Sequence, residues 1–463
     1  MLLCLLLAAL LDFEPASCAE ATDRLVWRQK ENSVDAQIEG WPLTRLLERV
    51  AAKTRWQVLL EPDTQYTVSA KFTGLKTSDA LRRLLGGLNF MLVPAASGPT
   101  RLYIYRTSMG AATELVAAPA ERTGPEGESS AIPNELIVTL KADARESIDD
   151  LAKRLGAKVV GSADELHAYR LRFQDEAATR AAREALGTEP DVSAVDANYE
   201  VARPDRPEAL GGGPLPPFTL RPKATVDANR VVVGLIDTAL QTQGTVLKDF
   251  LLPAVSVAGA AEVPPNQPTH GTSMAETLLY RLSLAPDSAS GTPVRILPVD
   301  VYGAGESTTT FEIARGIYAA INGGASIINL SLGGEADSRF VHEVIKSGHD
   351  QGVMFLAASG NEPVTTATYP AAYPEVTAVT ATSRNGGLAS YANRGDFVSA
   401  AAPGTSVIPF NDRPYVVVGT SVSTANASGV AAALMAATHK TGADLEALVR
   451  QTLAFKAPAS GLP

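Results

Sequence analysis

A chain of 463 residues is too long for one compact core and points to roughly two to four domains. With 45% apolar and 19% charged residues it fits neither a disordered chain nor a membrane bundle. Its formal charge of −10 is spread without a long basic run, so no nucleic-acid partner is expected.

The chain opens on an apolar run from Leu2 to Leu11. A run of about ten residues is too short to cross a bilayer, so no transmembrane span is expected, and it suits the core of a signal peptide. Asp12, Glu14 and Pro15 end it abruptly, which argues against a buried helix. Ser17 and Ala19 are small residues that fit cleavage before Glu20, although a basic flank is missing. Residues 1–19 are therefore read as a leader and the mature protein as exported, to the periplasm or outside the cell. A rival reading makes Pro15-Ala16-Ser17-Cys18 a lipid-attachment box with Cys18 anchored, but Pro15 stands where such boxes carry an aliphatic residue. Cys4 and Cys18 both lie in the leader, so cleavage leaves no disulfide framework.

From Pro42 to Trp56 the positions Leu43, Leu46, Leu47 and Val50 trace one helix face, and Leu81, Leu84, Leu85 and Leu88 trace another. Strand-like pieces flank them at residues 57–60, 66–72 and 102–105, so residues 27–108 read as two βα repeats in a small α+β domain. In Val34-Asp35-Ala36-Gln37, Pro42-Leu43-Thr44-Arg45-Leu46-Leu47 and Ala80-Leu81-Arg82-Arg83-Leu84-Leu85 this region resembles the short N-terminal domain of secretins and TonB-dependent receptors. That resemblance implies a possible envelope protein partner. Residues 113–133, rich in Ala, Pro, Gly, Glu and Ser, read as a linker.

From Asn134 the pattern changes to strand, helix, two strands, helix and strand, the βαββαβ order of a ferredoxin-like fold over residues 134–202. Through Asn134-Glu135-Leu136-Ile137-Val138 and Val192-Ser193-Ala194-Val195-Asp196-Ala197-Asn198-Tyr199 it resembles the inhibitor-type propeptide of subtilisin-like proteases. A second Pro/Gly-rich stretch, residues 203–226, offers a processing region. Beyond it, apolar runs at residues 231–236, 296–301, 327–332, 353–358 and 376–379 alternate with helix-length segments. Buried parallel strands with crossover helices give that pattern, an α/β fold.

Four segments in residues 227–463 carry chemistry. An apolar strand, Val231 to Ile236, ends on Asp237, where open α/β sheets place their sites. His270-Gly271-Thr272 opens a helix, and Gly271 lets another backbone approach the imidazole. In Ala357-Ala358-Ser359-Gly360-Asn361 a strand breaks into a turn whose Asn amide can donate to an oxyanion. Gly419-Thr420-Ser421 opens a small-residue helix, where a Ser has its own N–H free. Each alone is as well explained by a helix cap or a turn. The order Asp, His, Asn, Ser with separations of 33, 91 and 60 residues is what makes the set resemble the subtilisin-like proteases.

Ile327 to Gly334, Tyr369 to Pro374 and Ala401 to Gly404 resemble the same family. The resemblance implies a subtilisin-like parallel sheet flanked by helices and a triad of Asp237, His270 and Ser421, with Asn361 in the oxyanion hole. It implies a polypeptide substrate lying extended between Tyr302-Gly303-Ala304-Gly305 and Ser331-Leu332-Gly333, and a propeptide acting as inhibitor. Thr368 falls where a smaller residue often floors the pocket beside the scissile bond, which implies a shallower pocket for small or medium side chains. Ala239, Ala425 and Asn426 depart from the family pattern without removing a catalytic group, and the chain ends soon after Val449, short of the family's closing segment. Structural Ca²⁺ is common in the family, but no ligand cluster is legible, so no cofactor is expected. The rival from another class is an envelope interaction protein with a silent protease fold. An esterase would need a Gly-x-Ser-x-Gly elbow, which is missing.

Overall fold

Apolar residues at every second position of Ser33–Pro42 bury Val34, Ala36 and Ile38 on one side of a strand, and the two leucine stripes bury against it. The computed structural model describes residues 24–454, apart from 29–32, 62–63, 65, 94–99, 110–111, 113, 117–130, 211–214, 216–219, 224–229 and positions 244, 246, 262, 287 and 364. The leader with Cys4 and Cys18, most of the first linker and part of the second lie outside the described residues. The chain divides into two units, residues 1–123 and 124–463.

In the first unit β1 (Arg24–Arg28), β2 (Ser33–Pro42), α1 (Leu43–Thr54), β3 (Gln57–Leu60), β4 (Thr67–Leu75), α2 (Thr77–Leu85), β5 (Asn89–Val93), β6 (Arg101–Tyr105) and β7 (Glu114–Val116) follow one another. They form two sheets, ordered β1-β2-β4 and β5-β6-β3-β7. Leu46, Leu47 and Val50 of α1 and Leu81, Leu84 and Leu85 of α2 are buried in one core, as their spacing predicts. Each such side chain contributes about 1.5–3 kcal/mol by leaving water. The two βα repeats are present, with strands β1, β2 and β5 in addition. The linker expected from residue 113 is not structureless, because β7 pairs antiparallel with β3.

The second unit begins with β8 (Ala131–Leu140), α3 (Ile148–Arg154), β9 (Lys158–Ala163), β10 (Ala168–Arg172), α4 (Glu176–Leu186) and β11 (Val192–Ala202), the βαββαβ order. β8 starts ahead of the expected boundary at residue 134. Ser147 and Asp175 cap α3 and α4 by accepting from Asp150 N and Ala178 N. Because successive side chains of a strand point to opposite faces, Leu136 and Val138 of β8 pack with Leu151, Leu171 and Leu186 inside this domain. Ile137 between them joins the core of the domain that follows.

That domain contains β12 (Glu208–Ala209), β13 (Val231–Asp237), β14 (Val255–Ser256), α5 (His270–Ser283), β15 (Val294–Asp300), β16 (Ser307–Thr309), α6 (Thr310–Asn322), β17 (Ile327–Leu330), α7 (Arg339–Asp350), β18 (Met354–Ala358), β19 (Val376–Thr382), β20 (Ala400–Pro403), β21 (Thr405–Phe410), β22 (Arg413–Val418), α8 (Thr420–Thr438) and α9 (Gly442–Thr452). Its parallel sheet is ordered β14-β15-β13-β17-β18-β19-β20. Both faces are covered, Ile317 and Val344 lying in the core on one side and Leu278 and Ala431 in the core on the other, which is why its strands are apolar throughout. β13 lies between β15 and β17, so the chain turns to opposite sides of it and leaves a crevice at its C-terminal end.

The ferredoxin-like domain is tied to this one by two helix caps. Asp196 and Asn198 stand two apart on β11. Asp196 Oδ2 accepts from Phe340 N and from Ser338 Oγ, each at 2.8 Å, at the start of α7. Asn198 Oδ1 accepts from Phe311 N (3.2 Å) and Thr310 Oγ1 (3.3 Å) at the start of α6, while its Nδ2 donates to the buried Glu135 carboxylate (2.8 Å). Each cap is worth about 0.5–2 kcal/mol. Past Asn198 the strand continues along the second domain, and Glu200 to Ala202 pair antiparallel with β16.

Candidate active site

The apolar run of β13 delivers Asp237 into the crevice almost fully buried, at 1% exposure. A carboxylate there is costly unless it is hydrogen-bonded. Asp237 Oδ1 accepts from Thr238 N (2.7 Å) and Thr238 Oγ1 (3.2 Å), and His270 Nδ1 lies 2.9 Å from both carboxylate oxygens. A carboxylate on that side requires a proton on Nδ1, so neutral His270 keeps Nε2 as its lone-pair base.

His270 is the first residue of α5 and is held by the cap of that helix. Thr269 Oγ1 accepts from Thr272 N (3.2 Å) and donates to Ala239 O (2.7 Å). Gln241 completes the anchor: its Oε1 accepts from Thr269 N (2.7 Å) and its backbone N–H donates to Thr272 Oγ1 (2.9 Å). A lone Gln four residues after the acid carries no sequence signal for this role. Gly271 is required by space, since a Cβ there would lie 2.3 Å from Thr238 O.

Ser421 is the second residue of α8, where the first turn leaves backbone N–H groups without intrahelical partners. Its hydroxyl donates to Ser331 O at 3.1 Å, so the hydrogen bond to His270 is not made in this arrangement. Ser331 Oγ in turn lies 2.8 Å from Asn329 Oδ1 and 3.1 Å from Ser421 O, and Asn329 Nδ2 donates to Ser428 Oγ (2.9 Å). This buried network joins β17 to α8 and fixes where the helix begins.

Asn361 follows β18 and faces the same helix start. Its Oδ1 accepts from Thr420 N (2.8 Å) and Thr420 Oγ1 (3.0 Å), which leaves Nδ2 as the outward donor. Gly419 keeps that space open: at φ +150° its added Cβ would sit 3.1 Å from Asn361 Nδ2. The Asn361 amide and the Ser421 N–H can therefore serve one oxyanion. Replacing Asn361 with Leu is expected to lower kcat for a peptide by roughly 10²–10³-fold with KM little changed, a magnitude carried over from subtilisin. Steady-state kinetics showing an unchanged kcat would remove Asn361 from the oxyanion hole.

Of the two segments expected to flank a substrate, the first is a turn. Asp300 Oδ1 accepts from Tyr302 N (3.0 Å) and Gly303 N (3.1 Å), and Gly305 N donates to Tyr302 O (3.0 Å). Those bonds curl Gly303 and Gly305 into a turn, and the strand edge lies just beyond, at residues 306–309. β11 occupies it, with Ala202 opposite Ser307 and Arg203 N donating to Glu306 O (2.9 Å). The other segment, Ser331 to Gly333, lies beside Ser421, whose hydroxyl donates to Ser331 O. Leu332 is buried there, and Gly334 and Tyr369 exchange backbone hydrogen bonds at 2.9 and 2.7 Å. Thr368 Oγ1 donates to Ser359 O (2.6 Å), which fixes its side chain against the end of β18.

Among the described residues no group of three or more His, Cys, Asp or Glu could hold a metal ion, and no helix is long and apolar enough to cross a membrane.

Comparison with known proteins adds findings of three kinds. A model of the subtilase family matches residues 228–461, and one of the fervidolysin N-terminal prodomain matches residues 117–198. M-protease of Shouchella clausii (strain KSM-K16) is 29% identical over 269 residues, covering 54% of this chain and 65% of its own length, just under two thirds. Subtilisin Savinase of Lederbergia lenta is 31% identical over 216 residues, 44% of this chain and 75% of its own. The crystal structure of fervidolysin from Fervidobacterium pennivorans superposes with a TM-score of 0.53 at 19% identity over 69% of this chain and 56% of that one. That of the epidermin leader peptide processing serine protease from Staphylococcus aureus gives 0.52 at 15% identity, over 71% and 95%. At these identities the two structures speak to the fold alone. No finding bears out a secretin- or TonB-type N-terminal domain.

Proposed function

The chain belongs to the subtilase family and carries a prodomain, and from that premise we propose that it is an exported serine endopeptidase that cuts its own precursor. The observation that carries the reading is the buried Asp237–His270 pair at 2.9 Å, on the crevice where Ser421 and Asn361 also stand. A serine hydroxyl is too weakly acidic to attack an amide at neutral pH unaided. Ser421 Oγ turns from Ser331 O, His270 Nε2 takes its proton, and the oxygen adds to the scissile carbonyl. Asp237 stabilises the imidazolium, while Asn361 Nδ2 and Ser421 N hold the oxyanion. His270 then protonates the leaving amine, and water hydrolyses the acyl-enzyme by the same steps in reverse.

The edge at residues 306–309 supports an extended polypeptide substrate, because backbone pairing there is indifferent to most side chains. β11 fills that edge, which supports the ferredoxin-like domain as an inhibitor until it is cut away. No observation favours an envelope interaction protein with a silent protease fold, and the intact buried pair speaks against it. The test is the N-terminus of the purified protein. Wild type is expected to be cut between about residues 205 and 229, a window set by the boundary of the folded prodomain. Ser421→Ala is expected to retain the prodomain, and identical processing of both would contradict self-cleavage.

A further inference from the structure

The residue that leaves β11 is gripped through its side chain as well as its backbone. Arg203 extends the ladder by donating its N–H to Glu306 O (2.9 Å). Its Nη2 donates to Gly303 O (2.8 Å), and the guanidinium carbon lies 5.6 Å from the centre of the Tyr302 ring. Tyr302 is itself 2% exposed, and its hydroxyl donates to Ala202 O (3.2 Å). One side chain therefore holds the backbone of residue 202 and the cation of residue 203. Burial pushes the Tyr302 phenol well above its ordinary range, so it remains a neutral donor. Asp300 locks ring and carbonyl together through the N–H groups of Tyr302 and Gly303. A guanidinium here gains a charge-assisted bond and a ring face; a carboxylate in its place would meet a carbonyl oxygen and the negative face of the ring.

Past Arg203 the chain runs to Pro207, whose carbonyl accepts from Gln267 Nε2 (3.1 Å), close ahead of His270. From Arg203 the chain thus runs toward the segment that leads into His270.

We propose that Tyr302 and the Gly303 carbonyl form a subsite for arginine, so that the mature enzyme takes flexible polypeptides with Arg at the position whose N–H pairs with Glu306 O. The subsite rests on the protease reading, deepens it to a substrate class, and makes Tyr302 the residue that sets the preference.

The experiment compares fluorogenic peptides that differ only by Arg, citrulline, Ala or Glu, placed in turn at each position before the scissile bond. Processed wild type, Tyr302→Phe and Tyr302→Leu are assayed, with active sites counted by a serine-reactive probe. At one position Arg is expected to raise kcat/KM of wild type about tenfold over Ala. Citrulline, similar in shape but uncharged, should lose most of that gain, and Glu should fall below Ala. Tyr302→Phe should keep the Arg preference and Tyr302→Leu should erase it. A wild type that prefers Arg to Ala nowhere overturns the proposal, as does a preference unchanged in Tyr302→Leu; should that variant not fold, the wild-type series decides alone. Cleavage of the Ala peptide without any Arg gain sinks the subsite and leaves the protease reading standing. Cleavage of no peptide sinks both.

Discussion

Replacing Ser421 with alanine is expected to lower kcat by roughly 10⁶-fold, a magnitude carried over from removal of the same nucleophile in subtilisin. The size follows from the lack of a substitute. Ser423, two residues on, projects from a different face of α8 and is fully buried. Thr424 Oγ1 is committed to Thr420 O at 2.8 Å. Ser331 is buried in the network under the helix, with its hydroxyl turned to Asn329 and to the Ser421 carbonyl. What survives is the oxyanion hole and the binding edge, which together leave roughly 10³–10⁴-fold over water. Rapid mixing with an ester substrate checks this, because the acyl-enzyme burst of wild type should vanish. A variant retaining more than a few per cent of activity would mean that another group attacks.

Asp237→Asn is expected to cost about 10⁴-fold in kcat while leaving the fold intact. The side chains are nearly the same size, and the reason lies in which atom faces the imidazole. Thr238 N donates to Oδ1 at 2.7 Å, so an asparagine keeps its oxygen on that side. Its NH₂ group then faces His270 Nδ1, where only an acceptor can satisfy it, and the ring must carry its proton on Nε2. Protonated there, His270 cannot accept the Ser421 proton. Kinetics on one peptide, with the imidazole tautomer read by nitrogen NMR, separate this cause from misfolding. A loss below tenfold would show that the carboxylate does not set the tautomer.

The candidate site residues were legible because each stands at the start or just past the end of an element whose pattern is strong. Unbroken apolar runs marked the buried parallel strands, and the stops at Asp237 and Asn361 marked their C-terminal ends. The small-residue helix after Ser421 was legible for the same reason. What the sequence did not reveal depends on partners far along the chain. β7 and β12 are too short to show a period, and each exists only by pairing with β3 or β22. The curl at Gly303, which starts the strand edge only at residues 306–309, depends on Asp300 taking two N–H groups. Asp196 and Asn198 read as ordinary strand residues until the helix starts they cap are placed opposite them. The β21–β22 hairpin did carry a local signal: Asn411 and Asp412, at φ 49° and 60°, are residue types that adopt the paired left-handed conformation of a two-residue turn.

The central claim is that Ser421 is the nucleophile and that His270 activates it. Its most direct test is to treat processed wild type and His270→Ala with a fluorophosphonate and locate the adduct by mass spectrometry. A single adduct on the Ser421 peptide is expected, formed readily in wild type and lost without the imidazole. An adduct on another serine, or equal labelling of Ser421 in both proteins, would contradict the account.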